Sequence, residues 1–202
     1  MLDVEGFILV GGASSRMGAD KSALVLGGQT IVERIATTMR SVAKKVSVVG
    51  AKDRIYPLPV VYDLAESWGP LGGIHAALTS AQTKWCVVIA CDLPFVTDEL
   101  LQRLLSLRFD NRVIFDAVVP IQADDHPQPL CALYEKDSCL AAAERAIAKG
   151  EHSPRALLDK VNARYVPFSQ LADLGGADSF FFNVNTPENY KRAKRLSQNA
   201  ER

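Results

Sequence analysis

Apolar runs rich in Val, Ile and aromatic residues recur along the chain, and most are nearly continuous rather than alternating. They are GFILV (6–10), KVSVVG (45–50), PVVYD (59–63), WCVVIACD (85–92), DAVVP (116–120) and ARYVPF (163–168). A strand with one face in water alternates apolar and polar residues, whereas a strand covered on both faces does not. Between the runs lie segments with helical spacing: Ile31, Ile35, Thr38, Met39 and Val42; Leu71, Ile74, Ala77 and Leu78; Leu100, Leu101, Leu104 and Leu105. Strand and helix patterns in alternation predict an α/β architecture, a mostly parallel sheet with helices on both faces. At 202 residues, 48% of them hydrophobic, the chain supports one sizeable core. A single domain over 1–202 is expected, with the polar end SQNAER (197–202) as a frayed tail.

Lys plus Arg equals Asp plus Glu at 23 each, so no net field draws the protein to nucleic acid or to an anionic membrane. Any anion it binds needs a local site. No apolar stretch approaches the ~20 residues of a membrane span. The N-terminal MLDVEGFILVGG carries acids where a secretory signal needs a positive region, so a soluble cytoplasmic protein is expected. Cys86, Cys91, Cys131 and Cys139 form no C-x-x-C pair, and three lie in or beside apolar runs. They read as buried thiols rather than as zinc ligands or disulfides.

In sheets of this kind ligands bind beyond the carboxyl ends of the strands. Three segments fall there: the loop after GFILV, the stretch GPLGG (69–73), and CDLPF (91–95). The loop LVGGASSRMGADK (9–21) has Gly11 and Gly12 directly after the strand, where absent side chains let backbone amides approach phosphate oxygens. It lacks the later glycines of G-x-G-x-x-G, and Lys21 does not follow a glycine as in G-x-x-x-x-G-K-[ST]. What remains is a loop with two fixed cations, Arg16 and Lys21, and a turn-permitting Gly18 between them. From Gly11 to Gly28 the connection exceeds the usual strand-to-helix length, which suits a functional loop as well as a flexible one.

Asp92 ends the apolar run before Pro94 and offers the hard oxygen that Mg²⁺ takes beside phosphates. Its plainer role is a turn cap, although Thr97 and Asp98 are better placed to cap the next helix. Asp63 closes PVVYD and suits either a second carboxylate near the metal or a contact to the nucleotide's polar groups; it is equally an ordinary turn residue. Trp68, Gly69, Pro70 and Leu71 form a rigid turn into a helix, and the small Gly72 and Gly73 leave room for a base or sugar against the backbone. DDHPQPLCALY (124–134) mixes acids, a histidine and prolines before an apolar strand. FFFNVNTPENY (180–190) holds Asn183 and Asn185, which strand alternation puts on one face, before a helix start at Thr186 and Pro187. His75 and His152 read as packing or loop residues, and His126 is the histidine most suited to face a site. No Ser/His/Asp or Cys/His arrangement for nucleophilic catalysis presents itself.

LVGGASSRMGADKSAL resembles the L-x-G-G-x-x-x-R-M-G-x-D-K signature of the molybdenum cofactor guanylyltransferases, relatives of the nucleotidyltransferases that make nucleotide sugars. GPLGGIHAAL, CDLPF, HPQPLCALY and FNVNTPENY follow in the family's order, so the resemblance runs from residue 7 to about 193. It implies a Rossmann-like nucleotidyltransferase domain that condenses GTP with molybdopterin, giving the guanine dinucleotide cofactor and pyrophosphate. By that resemblance Leu9, Val10, Gly11 and Gly12 line guanine and ribose, Arg16 and Lys21 face the phosphates, and Asp63, with the Gly69, Pro70 and Leu71 turn, contacts the nucleotide. Asp92 carries Mg²⁺, and Gln128, Pro129, Leu130, Asn183 and Asn185 lie on the pterin side. Arg16, Lys21 and Asp92 are the catalytic set, because the attacking phosphate oxygen belongs to the substrate and the enzyme's task is positioning and charge neutralisation. Transient contact with the protein that delivers molybdopterin and with acceptor apoenzymes is also implied.

Two departures stand out. Val10 replaces the family's usual Ala, which is expected to crowd the base pocket slightly, and Asn189 stands where the last motif usually reads Glu-Asp. The nearest rival is a molybdopterin cytidylyltransferase, against which Gly12 argues because those relatives usually carry Ala there. A sugar-1-phosphate nucleotidyltransferase is a further reading. From another class comes a carrier that holds nucleotide and pterin without catalysis, which needs the loops but not Asp92.

Overall fold

A computed structural model describes residues 3–11, 21–50, 55–63, 68–110 and 113–200, with side chains to 198. The elements in chain order are β1 (Val4–Leu9), β2 (Val25–Leu26), β3 (Gln29–Thr30), α1 (Ile31–Met39), β4 (Lys45–Val49), β5 (Val60–Val61), α2 (Gly69–Ser80), β6 (Trp85–Ala90) and α3 (Asp98–Ser106). They continue with β7 (Phe109–Asp110), β8 (Val113–Ile114), β9 (Ala117–Pro120), β10 (Cys131–Glu135), α4 (Lys136–Ile147), α5 (Pro154–Leu158), β11 (Ala163–Val166) and α6 (Pro187–Ala200).

Seven strands form one sheet in the order β11-β9-β10-β6-β1-β4-β5. β6, β1, β4 and β5 run parallel, as do β9 and β11, and only β10 is antiparallel to its neighbours. The reversal of β10 has a functional consequence. Cys131 at its start pairs with Ile89 near the end of β6, so the segment leading into β10 arrives at the same edge as the carboxyl ends of the parallel strands.

The continuous apolar runs are explained by two cores, one on each face. Ile8, Val48, Ile89 and Leu133 pack with Ile31, Ile35 and Met39 of α1 and with Leu100 and Leu104 of α3. Their strand neighbours Phe7, Val49, Val88 and Ala132 pack on the other side with Leu71, Ile74 and Leu78 of α2, and with Ala142 of α4 and Leu157 of α5. Every residue of β6 is buried. Side chains of this size contribute about 1.5–3 kcal/mol each when fully buried, so the central strands are the least replaceable part of the chain.

Helix starts follow the sequence signals. Thr30 and Glu33 form a reciprocal capping box on α1, at 3.2 Å for Glu33 N–H to Thr30 Oγ1 and 2.9 Å for Thr30 N–H to Glu33 Oε2. Thr97, not Asp98, caps α3 by accepting from Leu100 N–H. Several boundaries differ from the sequence expectation. PVVYD contributes only Val60 and Val61 to the sheet, and Val42 lies beyond α1. α4, which the sequence reading did not identify, buries Cys139, Ala142, Ala143 and Ala146, small residues that give a weak apolar signal. Of the expected tail, residues 197–200 continue α6, and Ser197 is buried one turn after the buried Ala193; residues 201 and 202 lie outside the described residues. The described part of the long Gly11–Gly28 connection includes a 3-10 turn (Lys21–Ala23), which leads into the β2–β3 hairpin.

Candidate active site

Lys21 is held where the end of β6 meets the segment before α6. Its ammonium donates to Asn185 Oδ1 at 2.5 Å and lies 4.0 Å from Asp92 Oδ2. The Lys21 and Asp92 side chains are 21% and 23% exposed, enough for a ligand to reach both. Burial pushes the Asp92 carboxyl above the usual carboxylate range, and the Lys21 charge draws it part of the way back. The backbone closes this arrangement as well, since Val184 N–H donates to Asp92 O at 2.9 Å. Asn183 and Asn185 therefore do not share a strand face. The segment around them is irregular because Val184 bonds to a loop carbonyl rather than to a ladder; Asn185 reaches Lys21, while Asn183 Nδ2 donates to Phe181 O.

The expected pterin-side residues reach the same edge. Gln128 N–H donates to Pro120 O, and Leu130 O accepts from Ala90 N–H at 2.8 Å, two residues before Asp92. Gln128, Pro129 and Leu130 are half-buried. Tyr134 fixes this turn: fully buried in β10, it donates its hydroxyl to Pro129 O at 2.6 Å. Arg34 does the same for CDLPF, with Nε donating to Pro94 O at 2.9 Å and the guanidinium over the Phe95 ring. The sequence reading missed both anchors, because a tyrosine in an apolar strand and an arginine on a helix carry no local sign of such distant carbonyl partners.

Among the residues expected on the nucleotide side, Leu9 O accepts from Cys91 N–H, Val10 N–H donates to Val49 O, and Gly11 is exposed at the strand end. Val10 is 5% exposed and belongs to the core layer of Ile8 and Val48. Val10 is thus packed in the core. Gly50 was another omission. It has φ +90° directly after β4, and a Cβ there would stand 2.7 Å from Val10 O. Its only sequence sign is the strand–glycine pattern VVG, the same grammar as LVGG.

Asp63 is half-buried two residues past β5. β5 and β6 are separated by three strand spacings, roughly 14 Å, which favours a nucleotide contact over an ion shared with Asp92. Gly69 and Pro70 are exposed, and Leu71 is buried in the core. Trp68 at the start of α2 makes no side-chain cap bond, and Pro70 in the first turn has no N–H to satisfy. Gly73, by contrast, serves packing: a Cβ on it would press against Leu9 Cδ1 at 3.2 Å, so its smallness accommodates the strand rather than a base. His75 is buried with its ring edge-on to Trp68, and its Nδ1 has no partner among the described residues. His126 is exposed and pairs with Asp124 of its own turn. Gly12 and Arg16 lie outside the described residues.

The residues present suit a divalent cation held mainly by substrate. Asp92 supplies one partly buried carboxylate, and no group of three or more His, Cys, Asp or Glu among the described residues forms a protein cage. Mg²⁺ is commonly bound by one or two carboxylates together with phosphates. The four cysteines are buried and none is in a disulfide.

A mostly parallel sheet with Gly11, Lys21 and the strand-ending Asp92 at its carboxyl edge is the frame of a nucleotide-handling α/β domain, and the comparisons with known proteins make the class a nucleotidyltransferase. The model of the MobA-like NTP transferase domain matches residues 6–165. A "Probable molybdenum cofactor guanylyltransferase" of Pelotomaculum thermopropionicum is 34% identical over 99% of this chain and 96% of its own length. A molybdenum cofactor guanylyltransferase of Desulfosudis oleivorans is 31% identical over 95% and 94%. The crystal structure of molybdopterin-guanine dinucleotide biosynthesis protein A from Archaeoglobus fulgidus superposes with a TM-score of 0.79 at 29% identity, covering 96% of this chain and 99% of that one. The chain belongs to the molybdenum cofactor guanylyltransferase family, within the MobA-like NTP transferases.

Proposed function

We propose that the protein transfers GMP from GTP to the terminal phosphate of molybdopterin, releasing pyrophosphate and forming molybdopterin guanine dinucleotide. The observation that carries this reading is the convergence of Lys21, Asp92 and Asn185 at the carboxyl edge, in a chain of this family. The Lys21 ammonium faces the triphosphate and takes up charge as pyrophosphate departs. Asp92 holds Mg²⁺, which supplies charge neutralisation to the phosphate oxygens when bound. Gln128, Pro129, Leu130 and Asn183 orient the acceptor, whose phosphate oxygen is already a nucleophile and needs no activated serine or cysteine. Gly11, Asp63 and the start of α2 receive the nucleotide, together with Gly12 and Arg16 by resemblance. Contact with the protein that delivers molybdopterin and with the apoenzymes that receive the product belongs to the same reading, as does a cytoplasmic setting. No helix among the described residues is long and apolar enough to cross a membrane.

Thermal unfolding with GTP, CTP, ATP and UTP, each with and without Mg²⁺, tests the proposal. A ligand at ~100 times its dissociation constant adds about 2.7 kcal/mol to the folded state, so GTP with Mg²⁺ is expected to give the largest upward shift. A larger shift with CTP transfers the protein to the cytidylyl branch. With loaded pterin, Lys21→Ala is expected to lower turnover by roughly two to three decades. Near-native turnover in that variant overturns the role given to Lys21, and nucleotide binding without pyrophosphate release favours a carrier.

A further inference from the structure

We infer that Asn185 is a positioning residue for Lys21: its amide oxygen fixes the ammonium at the phosphate-facing edge without cancelling its charge. The inference rests on the reading of Lys21 as the cation that meets the triphosphate, and it assigns Asn185 to the nucleotide half of the site rather than the pterin half. A lysine head is a compact charge on a flexible stem, so its position has to be supplied by neighbours. Of its two acceptors among the described residues, only Asn185 Oδ1 is within hydrogen-bond distance; Asp92 Oδ2 stands off at 4.0 Å. Asn185, not Asp92, therefore sets where the ammonium lies.

The segment that carries Asn185 is itself anchored on both sides of Lys21. Val184 N–H is bonded to Asp92 O. Thr186 Oγ1 accepts from Asn189 N–H to start α6. One turn on, Tyr190 hydroxyl donates to Val25 O at 2.9 Å and accepts from Val25 N–H, tying α6 to the strand that follows the Lys21 turn. An acceptor held in this way orients a lysine, and a neutral amide leaves the full positive charge for a phosphate. A carboxylate in its place would hold the ammonium equally well but neutralise it.

GTP affinity measured by calorimetry on the full chain closes a double-mutant cycle over Lys21→Ala and Asn185→Ala. Asn185→Ala is expected to weaken GTP binding about 5–10-fold in the native background and less than about twofold in the Lys21→Ala background, since the residue acts through the lysine. Equal losses in both backgrounds, or no loss in the single variant, overturn the inference. Asn185→Asp guards against a folding artefact: it is expected to match the native unfolding temperature yet bind GTP more weakly, and native-level binding by that variant overturns the inference. A ligand-free readout separates this inference from the functional reading. In proton–nitrogen spectra of lysine ammonium groups, a Lys21 signal, assigned by its absence in Lys21→Ala, is expected in the native protein and lost in Asn185→Ala. Its persistence in Asn185→Ala overturns the inference. Its loss there, in a protein that binds no GTP, upholds the contact and removes only the functional reading.

Discussion

Replacing Gly50 by Ala probes how closely the ends of β1 and β4 are drawn together. Gly50 follows β4 with φ +90°, its N–H donates to Val61 O, and a Cβ on it would stand 2.7 Å from Val10 O. Two costs follow. An L side chain in the left-handed region costs about 1–2 kcal/mol, and relieving the overlap against a backbone carbonyl adds about 1–2 kcal/mol more, as overpacking does. Val10 cannot simply retreat, because its own N–H is bonded to Val49 O at 2.9 Å. The sum is about 3 kcal/mol, or roughly 6–12 °C in Tm for a domain of this size. Gly28→Ala is the control, since Gly28 has φ +78° with nothing within 4 Å of an added Cβ. It carries only the conformational cost, about 1–2 kcal/mol. Urea unfolding of both variants, read as a change in midpoint at constant slope, gives the two values directly. Equal losses at the two positions would refute the close approach of Gly50 to Val10.

Asp92→Asn tests the electrostatics of the site in the ligand-free protein. The native carboxyl is raised by burial, so its contribution to stability is present below the ordinary aspartate pKa and lost as pH rises through the folded value. The Asn variant is therefore expected to melt higher than the native protein at neutral pH, with the gap closing as pH falls from the raised folded value to about 4; a gap that widens on acidification contradicts the assignment. The thiols give a second check, since burial pushes Cys86 and Cys131 up to about 12 and Cys139 higher still. Native protein at pH 8 is expected to resist alkylation by iodoacetamide while all four cysteines react in urea, and rapid labelling before unfolding counts against the buried placement.

The sequence alone determined the α/β class, because strands covered on both faces must be apolar at successive positions and leave a legible pattern in GFILV and WCVVIACD. It also determined that Lys21 and Asp92 stand at strand-to-helix transitions of one edge, and it carried the family resemblance in the order of five short segments. Local rules found the helix beginning at Ile31, from its apolar spacing, and the Thr186–Pro187 start, whose evidence lies within a few residues. Tertiary structure decided everything that joins distant segments: Asn185 against Lys21, 164 positions apart, Arg34 under Pro94, and the reversal of β10 that brings Gln128–Leu130 beside the end of β6. It also showed that Gly73 and Val10 serve packing, and that Asn183 and Asn185 point to different partners. The reason is physical. Burial and capping are written in the spacing of neighbouring residues, whereas the partner of a polar group is chosen by which chain segments the sheet order brings within 3 Å, and spacing along one chain holds no record of that choice.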